Sequence, residues 1–171
     1  FFVMIIVNAL GAHETGARLV AINLAKNYVF DEKAVFVVSE TAEDFPVNNK
    51  NMIFISLSHK LWGRYFRLLY ELIINIFLLL KIFRLHINLS HYGLVLFGKH
   101  RVYVHNPQFV EENSDRGFSP GKMNFIKKYL FKTCIKRADR IYVQTKHMYD
   151  SVMRLMQREG RSEDFLIIIK P

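Results

Sequence analysis

The fold of this chain is decided by residues 1–38, which read FFVMIIVNALGAHETGARLVAINLAKNYVFDEKAVFVV. Residues 1–7 form a continuous apolar run that contains several β-branched side chains, and this predicts a strand buried on both faces. A glycine-bearing loop follows over residues 11–16, and residues 17–28 carry an apolar stripe at helical spacing. A second apolar run at residues 34–38 completes a strand–loop–helix–strand unit.

The rest of the chain continues this alternation. Further strands are predicted at residues 52–57, 86–90, 101–104, 140–143 and 165–169, and further helices at residues 61–85, 120–138 and from Thr145 to Gly160. The alternation predicts an α/β domain with a Rossmann-like parallel sheet and helices on both faces. Ligands of such sheets bind at the carboxyl ends of the strands. The candidate loops are therefore those after Val7, Ser90, Val104 and Val143.

Size and composition indicate one globular domain with an anionic partner. The chain has 171 residues, of which 51% are hydrophobic, and its formal net charge is +9. This charge favours phosphate groups, an acidic lipid surface or nucleic acid, without choosing among them. No helix-turn-helix, RNP or zinc-finger pattern supports nucleic acid, so we expect no nucleic-acid partner. The single cysteine, Cys134, excludes an intrachain disulfide, and its apolar helical surroundings predict a buried thiol in a reducing compartment.

The first loop lies where a phosphate-binding turn is usually found. Backbone N–H groups and a partly positive helix N-terminus meet anions at such a position. Gly11 and Gly16 have the spacing of a P-loop, yet Ala17 and Arg18 replace the Lys and the Ser or Thr that this motif needs, and no G-x-G-x-x-G pattern is present. Two interpretations stay open: an anion-binding turn, or a glycine required for a tight turn alone.

His105 directly follows the strand predicted at residues 101–104. A histidine at a strand end can donate to a substrate oxygen or a phosphate, or act as a general base. A hydrogen-bonded structural histidine is the alternative. Pro107 biases Asn106 towards an extended conformation and helps to define this loop. The remaining histidines (His13, His59, His86, His91, His100 and His147) have no zinc-like spacing, so no metal site is expected.

The helix predicted at residues 61–85 carries a narrow polar stripe, formed by Arg64, Arg67, Glu71 and Asn75. Almost every other residue is apolar, which predicts that the helix is covered on most sides. The sheet covers one side; core packing is the favoured interpretation for the other, and a partner chain or a membrane surface are the alternatives. The arginines and lysines of this segment argue against a membrane span.

A row of lysines marks the helix predicted at residues 120–138. Lys128, Lys132 and Lys136 lie four residues apart, so their charges repel one another along the helix. The row is either a solvated face or a surface that attracts an anionic partner.

The order of these segments resembles the N-terminal domain of glycosyltransferase family 4, a group of retaining GT-B enzymes. Residues 11–24 are similar to the family's glycine loop and first helix, and residues 86–91 are similar to a strand that often ends in histidine. Residues 102–107 resemble the strand and loop with the active-site histidine, and residues 138–145 resemble the family's Ala-Asp-Lys-Ile strand. Residues 167–171 resemble the strand before the interdomain linker. The likeness extends over nearly the whole chain. It departs from the family at Thr15, where one glycine of the usual pair is expected.

The resemblance implies half of a GT-B fold, with residues 1–171 as a single N-terminal, acceptor-side domain and the C-terminal nucleotide-sugar-binding domain absent. It implies a hexosyltransferase-type glycosyltransferase that needs no metal ion or other cofactor. The sugar passes from a nucleotide-sugar donor to a cell-envelope or polysaccharide-type acceptor, either a glycan or a lipid-linked molecule. This chain alone is expected to be inactive.

The resemblance also implies site residues. The catalytic residue is His105. The donor phosphate and sugar loop comprises Gly11, Thr15, Gly16, Ala17 and Arg18, where Arg18 is included for its place at the helix start rather than for a family pattern. The acceptor-side candidates are His13, His91 and Asn106.

The expected location is the cytoplasm, peripherally at the inner face of an anionic membrane, because the chain is basic and residues 61–85 are strongly apolar. The alternative function is a stand-alone nucleotide- or phosphosugar-binding α/β module without transferase activity. The two functions differ in what the reading frame encodes beyond Pro171, since only the transferase needs a second domain with paired glutamates.

Overall fold

The computed structural model describes residues 4–10, 15–27, 32–39, 45, 50–57, 64–89, 93–104, 122–161 and 166–168. Five of the implied site residues, Gly11, His13, His91, His105 and Asn106, lie outside this set.

The described residues contain seven strands and four helices. The strands are β1 (Met4–Ala9), β2 (Lys33–Ser39), β3 (Met52–Leu57), β4 (Phe83–Asn88), β5 (Lys99–Val104), β6 (Arg140–Val143) and β7 (Leu166–Ile168). The helices are α1 (Thr15–Lys26), α2 (Arg64–Leu79), α3 (Lys122–Arg137) and α4 (Lys146–Arg158).

The strands form a single sheet in the order β3-β2-β1-β4-β5-β6-β7, and every neighbouring pair is parallel. The predicted Rossmann-like α/β fold is thereby confirmed. The strand order reverses between β1 and β4, because the chain proceeds outward from β1 to β3 and then crosses back to β4. This reversal is the topological switch point at which open parallel sheets bind ligands.

Both faces of the sheet are covered. Ala21 and Ala25 of α1 pack against one face, in a cluster that includes Val7 and Phe36. On the other face, Ile74 and Leu78 of α2 pack against residues of β1 and β2. A further cluster joins α3 and α4 to β5 and β6. Continuous burial of β1 and β2 explains why their sequences are apolar without alternation.

The prediction of one helix reaching residue 85 is wrong. Helix α2 ends at Leu79, and β4 begins at Phe83. The N–H of Ile82 donates to the carbonyl of Phe77 (2.9 Å) and the N–H of Lys81 to that of Leu78 (3.1 Å), which is the Schellman pattern. The left-handed residue of this motif is Lys81, with φ of 58°.

Helix α4 ends in the same motif with a glycine at the equivalent position. The N–H of Arg161 donates to Met156 and that of Gly160 to Gln157, and Gly160 has φ of 70°. Glycine adopts this conformation without the steric cost that a Cβ atom adds. The end of α4 predicted at Gly160 is confirmed, whereas the end of α2 has no glycine that would reveal it.

Replacing Lys81 by glycine is expected to stabilise the chain by about 1 kcal/mol, because it removes the Cβ atom from a left-handed residue. Chemical denaturation would measure the change in the free energy of unfolding. The matched control is Lys81→Ala, which also removes the charge but keeps the Cβ atom. Equal stabilisation by both variants would show that charge, and not backbone strain, is responsible.

Thr145, from which this helix is predicted to start, is the N-cap of α4. Thr145 has extended dihedral angles, and its Oγ1 accepts a hydrogen bond from the N–H of Met148 at 3.2 Å. The i,i+4 spacing of Asp150 and Arg154 favours an ion pair between them, but the structure has none. Asp150 pairs instead with Lys146 (3.0 Å), and the Arg154 guanidinium donates to the hydroxyl of Ser151.

The lysine row of α3 has an acidic partner that sequence spacing did not reveal. Glu159, just beyond α4, lies 3.4 Å from the Nζ of Lys132 and 3.6 Å from that of Lys136. The carboxylate thus offsets part of the repulsion between these two lysines, although exposed pairs of this kind contribute little stability. The side chain of Lys128 is outside the described set.

Candidate functional site

The switch point carries two buried asparagines. Asn8 lies near the carboxyl end of β1 and Asn88 is the last residue of β4, and the two are paired in register across the neighbouring strands. Each side chain is about 1% exposed. Amide groups buried at this depth need hydrogen-bond partners, so the surrounding segments must supply them.

The Asn8 side chain links the end of β1 to helix α2. Its Nδ2 donates to Oε1 of Glu71 at 3.1 Å, and its Oδ1 accepts from the N–H of Leu10 at 3.1 Å. The second bond bends the backbone at the start of the first loop, in the manner of an Asx turn. Glu71, a buried residue of α2, therefore helps to hold the turn from which residues 11–14 depart.

Gly93 permits the close approach of the same polar groups. A Cβ atom built on Gly93 would lie 2.3 Å from Nδ2 of Asn88 and 2.8 Å from Oε2 of Glu71. Both distances are shorter than a non-bonded contact allows, so no larger residue fits without displacing these side chains. The backbone of Gly93 also exchanges two hydrogen bonds with Sγ of Cys134, at 3.0 and 2.9 Å. Cys134 is the buried thiol that the sequence predicted.

Asn75 organises the segment that follows Gly93. Its Nδ2 donates to the carbonyls of Glu71 and Leu94, both at 2.8 Å, and its Oδ1 accepts from the N–H groups of Leu96 and Phe97. A fully buried side chain of α2 thus satisfies the backbone of an irregular segment that has no sheet partner of its own. Glu71 and Asn75, which belong to the polar stripe of α2, thus support the segments at the switch point.

The predicted donor loop is partly described. Helix α1 begins at Thr15, and residues 10–14 connect it to the end of β1, so its N-terminus lies close to the carboxyl edge of the sheet. Thr15, Gly16, Ala17 and Arg18 form the first turn, and Arg18 is half-buried. The side chains of Thr15 and Ala17 are outside the described set.

The carboxyl ends of β5 and β6 are joined by Tyr103 and Gln144. Burial raises the pKa of the Tyr103 phenol, while the hydrogen bond with the Gln144 side chain lowers it. The two side chains fix the strand ends that precede the segments carrying His105 and the α4 cap.

A pair of histidines lies inside the sheet, away from the carboxyl edge. His86 of β4 and His100 of β5 are register partners, both are almost fully buried, and their Nδ1 atoms are 3.0 Å apart. Burial lowers the pKa of both imidazoles, and in His86 the neighbouring His100 lowers it further. Within the described ranges, no group of three or more His, Cys, Asp or Glu side chains could hold a metal ion.

The contacts of this pair assign its tautomers. Nε2 of His100 lies 2.7 Å from the carbonyl of Phe97, which can only accept, so Nε2 carries the proton. In the neutral His100, Nδ1 is then an acceptor, and Nδ1 of His86 donates to it. Nε2 of His86 is left as a buried acceptor that has no hydrogen-bond donor among the described residues. Protonation of His100 at Nδ1 would set two N–H groups against each other, and protonation of His86 at Nε2 would bury a charge without a hydrogen-bond partner among the described residues.

The free energy of unfolding is expected to fall as the pH drops below 6.5. Unfolded histidines take up protons near their ordinary pKa of 6.5, whereas burial keeps the folded His86 and His100 neutral to lower pH. The unfolded state then binds more protons, so each histidine contributes a slope of up to about 1.4 kcal/mol per pH unit. Above pH 6.5 both states are neutral and the contribution is flat.

Urea denaturation between about pH 5 and about pH 8 would measure this slope. The variant His86→Gln should flatten it, whereas His147→Gln, at an exposed position of α4, should leave it unchanged. If His86→Gln left the wild-type slope unchanged, groups other than His86 would be responsible for the acid sensitivity.

Sequence reasoning missed most of these supporting residues. The sequence pattern predicts no role for Asn8 or Asn88. The available signal was the polar residue near the end of each strand, together with Glu71 and Asn75 one helical turn apart in an otherwise apolar helix. Polar residues at such positions need buried partners, and only the strand order shows which partners are in reach.

No family model matches the chain, and no curated protein matches it.

Proposed function

We propose that this chain is the N-terminal, acceptor-side domain of a retaining GT-B glycosyltransferase. The enzyme transfers a hexose from a nucleotide-sugar donor to a cell-envelope or polysaccharide-type acceptor. The supporting observation is that the stretches resembling glycosyltransferase family 4 belong to, or come directly after, strands that lie side by side in a parallel sheet. β1, β4, β5 and β6 are adjacent, so the loops that follow them open at one edge.

In this proposal the first turn of α1 contributes N–H groups to the donor phosphate, since a helix N-terminus stabilises anionic groups. His105 faces the sugar, in line with the family resemblance. The Glu71–Asn8–Leu10 hydrogen bonds hold the start of the donor loop in place. A partner domain supplies the residues that bind the nucleotide, and no metal ion or other cofactor is required.

A transfer assay tests the proposal. The product of the complete reading frame would be incubated with radiolabelled nucleotide sugars and a lipid-linked or glycan acceptor, and the 171-residue chain would serve as the inactive control. We expect transfer by the complete product and none by the control. Turnover by this chain alone would contradict the two-domain proposal.

A stand-alone nucleotide- or phosphosugar-binding module is the second candidate. It is favoured by the strand order, because 3-2-1-4-5-6 is the order of dinucleotide-binding domains. Isothermal titration of this chain with nucleotides and sugar phosphates separates the two proposals. The half-enzyme should bind them more weakly than about 1 mM, whereas a complete module should bind in the micromolar range.

The proposed location is peripheral, at the inner face of a cytoplasmic membrane. The described helices include none that is long and apolar enough to cross a bilayer. Support for a peripheral location comes from the basic charge of the chain and from the apolar surface of α2.

A further inference from the structure

Helix α2 presents an apolar face to solvent and a partly polar face to the sheet. Tyr70, Glu71, Ile74, Asn75 and Leu78 are buried. On the opposite side, the outer α2 face consists of Leu69, Leu72, Ile73, Ile76, Phe77 and Leu80, which are between 37% and 61% exposed. The usual amphipathic pattern of a surface helix is therefore inverted. Core packing, the interpretation favoured from the sequence, is wrong for this face.

The apolar surface continues beyond the helix. Ile82, in the turn after α2, is 38% exposed, and Leu96 and Phe97 are 38% and 43% exposed. Leu96 and Phe97 are tied to α2 through the bonds from their N–H groups to Asn75. Apolar side chains exposed along one face of a helix, with more of them on a segment tied to that helix, are characteristic of an interaction site rather than of scattered exposed residues.

Among the described residues, three basic side chains and one acidic side chain lie beside this surface. Lys81 directly follows Leu80, and Lys99 follows the segment that contains Phe97; both side chains are exposed. Arg84, at the start of β4, is also exposed and pairs with Glu32. The left-handed conformation of Lys81 places a cation at the tip of α2 where glycine would be less strained.

Each of the described carboxylates is engaged by a polar or basic partner. Glu71 is buried against Asn8, and Asp139 accepts a hydrogen bond from the N–H of His100. Glu32, Asp150 and Glu159 are paired with basic side chains. A second copy docking face to face would bring like charges together, in a chain whose net charge is +9. An anionic surface is the occupant that this charge distribution favours.

We propose that the outer α2 face inserts into the surface of an anionic bilayer. The helix lies in the plane of the interface, its apolar side chains reach the acyl region, and Lys81 and Lys99 meet the lipid phosphates. This inference identifies the surface through which the chain would bind the membrane, and so rests on the membrane location proposed above, but it does not depend on sugar transfer. Lys81 and Lys99 lie at the amino-terminal edge of the sheet, so docking leaves the carboxyl edge open to substrates.

Vesicle co-sedimentation of the 171-residue chain, without any sugar nucleotide, tests the proposal. Vesicles of phosphatidylcholine containing about 30% phosphatidylglycerol would be compared with pure phosphatidylcholine, at about 0.05 M and about 0.5 M salt. We expect binding to the anionic vesicles, weakened by salt but retained in part because the apolar contribution is insensitive to ionic strength. Absence of binding at low salt would overturn the proposal.

The triple variant Leu69→Gln, Ile73→Gln, Ile76→Gln should weaken partitioning at least about tenfold. Its matched control replaces exposed apolar residues elsewhere, as Leu19→Gln with Ile53→Thr and Ile55→Thr, and should bind like the wild type. Light scattering would monitor self-association. The lipid proposal would be overturned if the wild type formed a dimer and did not bind vesicles, and if the triple variant were monomeric. A second copy of the chain would then be the occupant.

A second measurement is independent of the folding of the triple variant. A polarity-sensitive dye on Leu80→Cys should shift to the blue on anionic vesicles, while the same dye on Leu19→Cys, in α1, should not. Lys81→Gly should bind vesicles more weakly although it is expected to be more stable. A dye shift at both labelled positions, or at neither, would contradict docking through α2. Transfer activity is measured separately, so failure to dock and failure to transfer sugar are distinguishable.

Discussion

Asn75→Ala is expected to lower the free energy of unfolding by about 3 kcal/mol, because the amide makes four buried or half-buried hydrogen bonds. Its loss leaves the N–H groups of Leu96 and Phe97 and the carbonyl of Leu94 without their partner, and it opens a cavity beneath α2. The segment after Gly93 should loosen first, since it has no strand partner. Urea denaturation gives the stability, and amide hydrogen exchange at Leu96 and Phe97 locates the change.

Two control variants separate the possible causes. Asn75→Leu restores the volume but none of the hydrogen bonds, so it should be nearly as unstable as Asn75→Ala. Asn23→Ala, at an exposed position of α1, should change stability by less than about 0.5 kcal/mol. Full recovery in Asn75→Leu would mean that packing volume, and not hydrogen bonding, is what this site requires.

Gly93→Ala is expected to cost about 3 kcal/mol, at the upper end of the usual range for overpacking. The new methyl group would lie 2.3 Å from Nδ2 of Asn88 and 2.8 Å from a Glu71 oxygen, and both side chains are buried. Displacing Glu71 would also disturb the Asn8 bond that shapes the first loop. Thermal unfolding measures the stability, and the amide resonance of Leu10 reports the loop.

The comparison variant is Gly160→Ala, where a Cβ atom meets nothing within 4 Å but φ is 70°. It should cost about 1 kcal/mol through backbone strain alone. A double-mutant cycle of Gly93→Ala with Asn88→Ala should show a combined loss smaller than the sum, since removing Asn88 vacates the space for the methyl group. Strict additivity would contradict the proposed clash.

Asn75→Ala and Gly93→Ala bear on function because both residues lie among the groups that support the switch point. Asn8 and Asn88 lie at the strand ends from which the candidate loops depart. Glu71 accepts a hydrogen bond from Asn8, Asn75 donates to the carbonyl of Glu71, and Gly93 lies against Asn88. If the carboxyl edge binds a sugar nucleotide or a phosphosugar, both variants should weaken binding beyond what the loss of folded protein explains.

Local sequence signals predicted the regular elements well. Strands at residues 52–57 and 140–143 have the predicted bounds, and Thr145 caps α4 as expected. These signals are short-range: an apolar run bounded by polar residues, and a hydroxyl three residues before an N–H group. The end of α2 was mispredicted because apolar residues run from the helix into β4 without glycine or proline, and Lys81 makes the turn.

The sequence by itself determined the fold class, because alternating apolar runs and helical stripes allow only a parallel sheet covered by helices. It also determined the basic charge and the buried thiol of Cys134. The tertiary structure alone decided which face of α2 is buried. Periodicity places Glu71 and Asn75 on one stripe and Leu69, Leu72 and Ile76 on the other, but it does not say which stripe meets the sheet. That choice follows from the strand order, which sets Asn8 and Asn88 side by side beneath α2 and so requires polar partners there, leaving the apolar stripe outside.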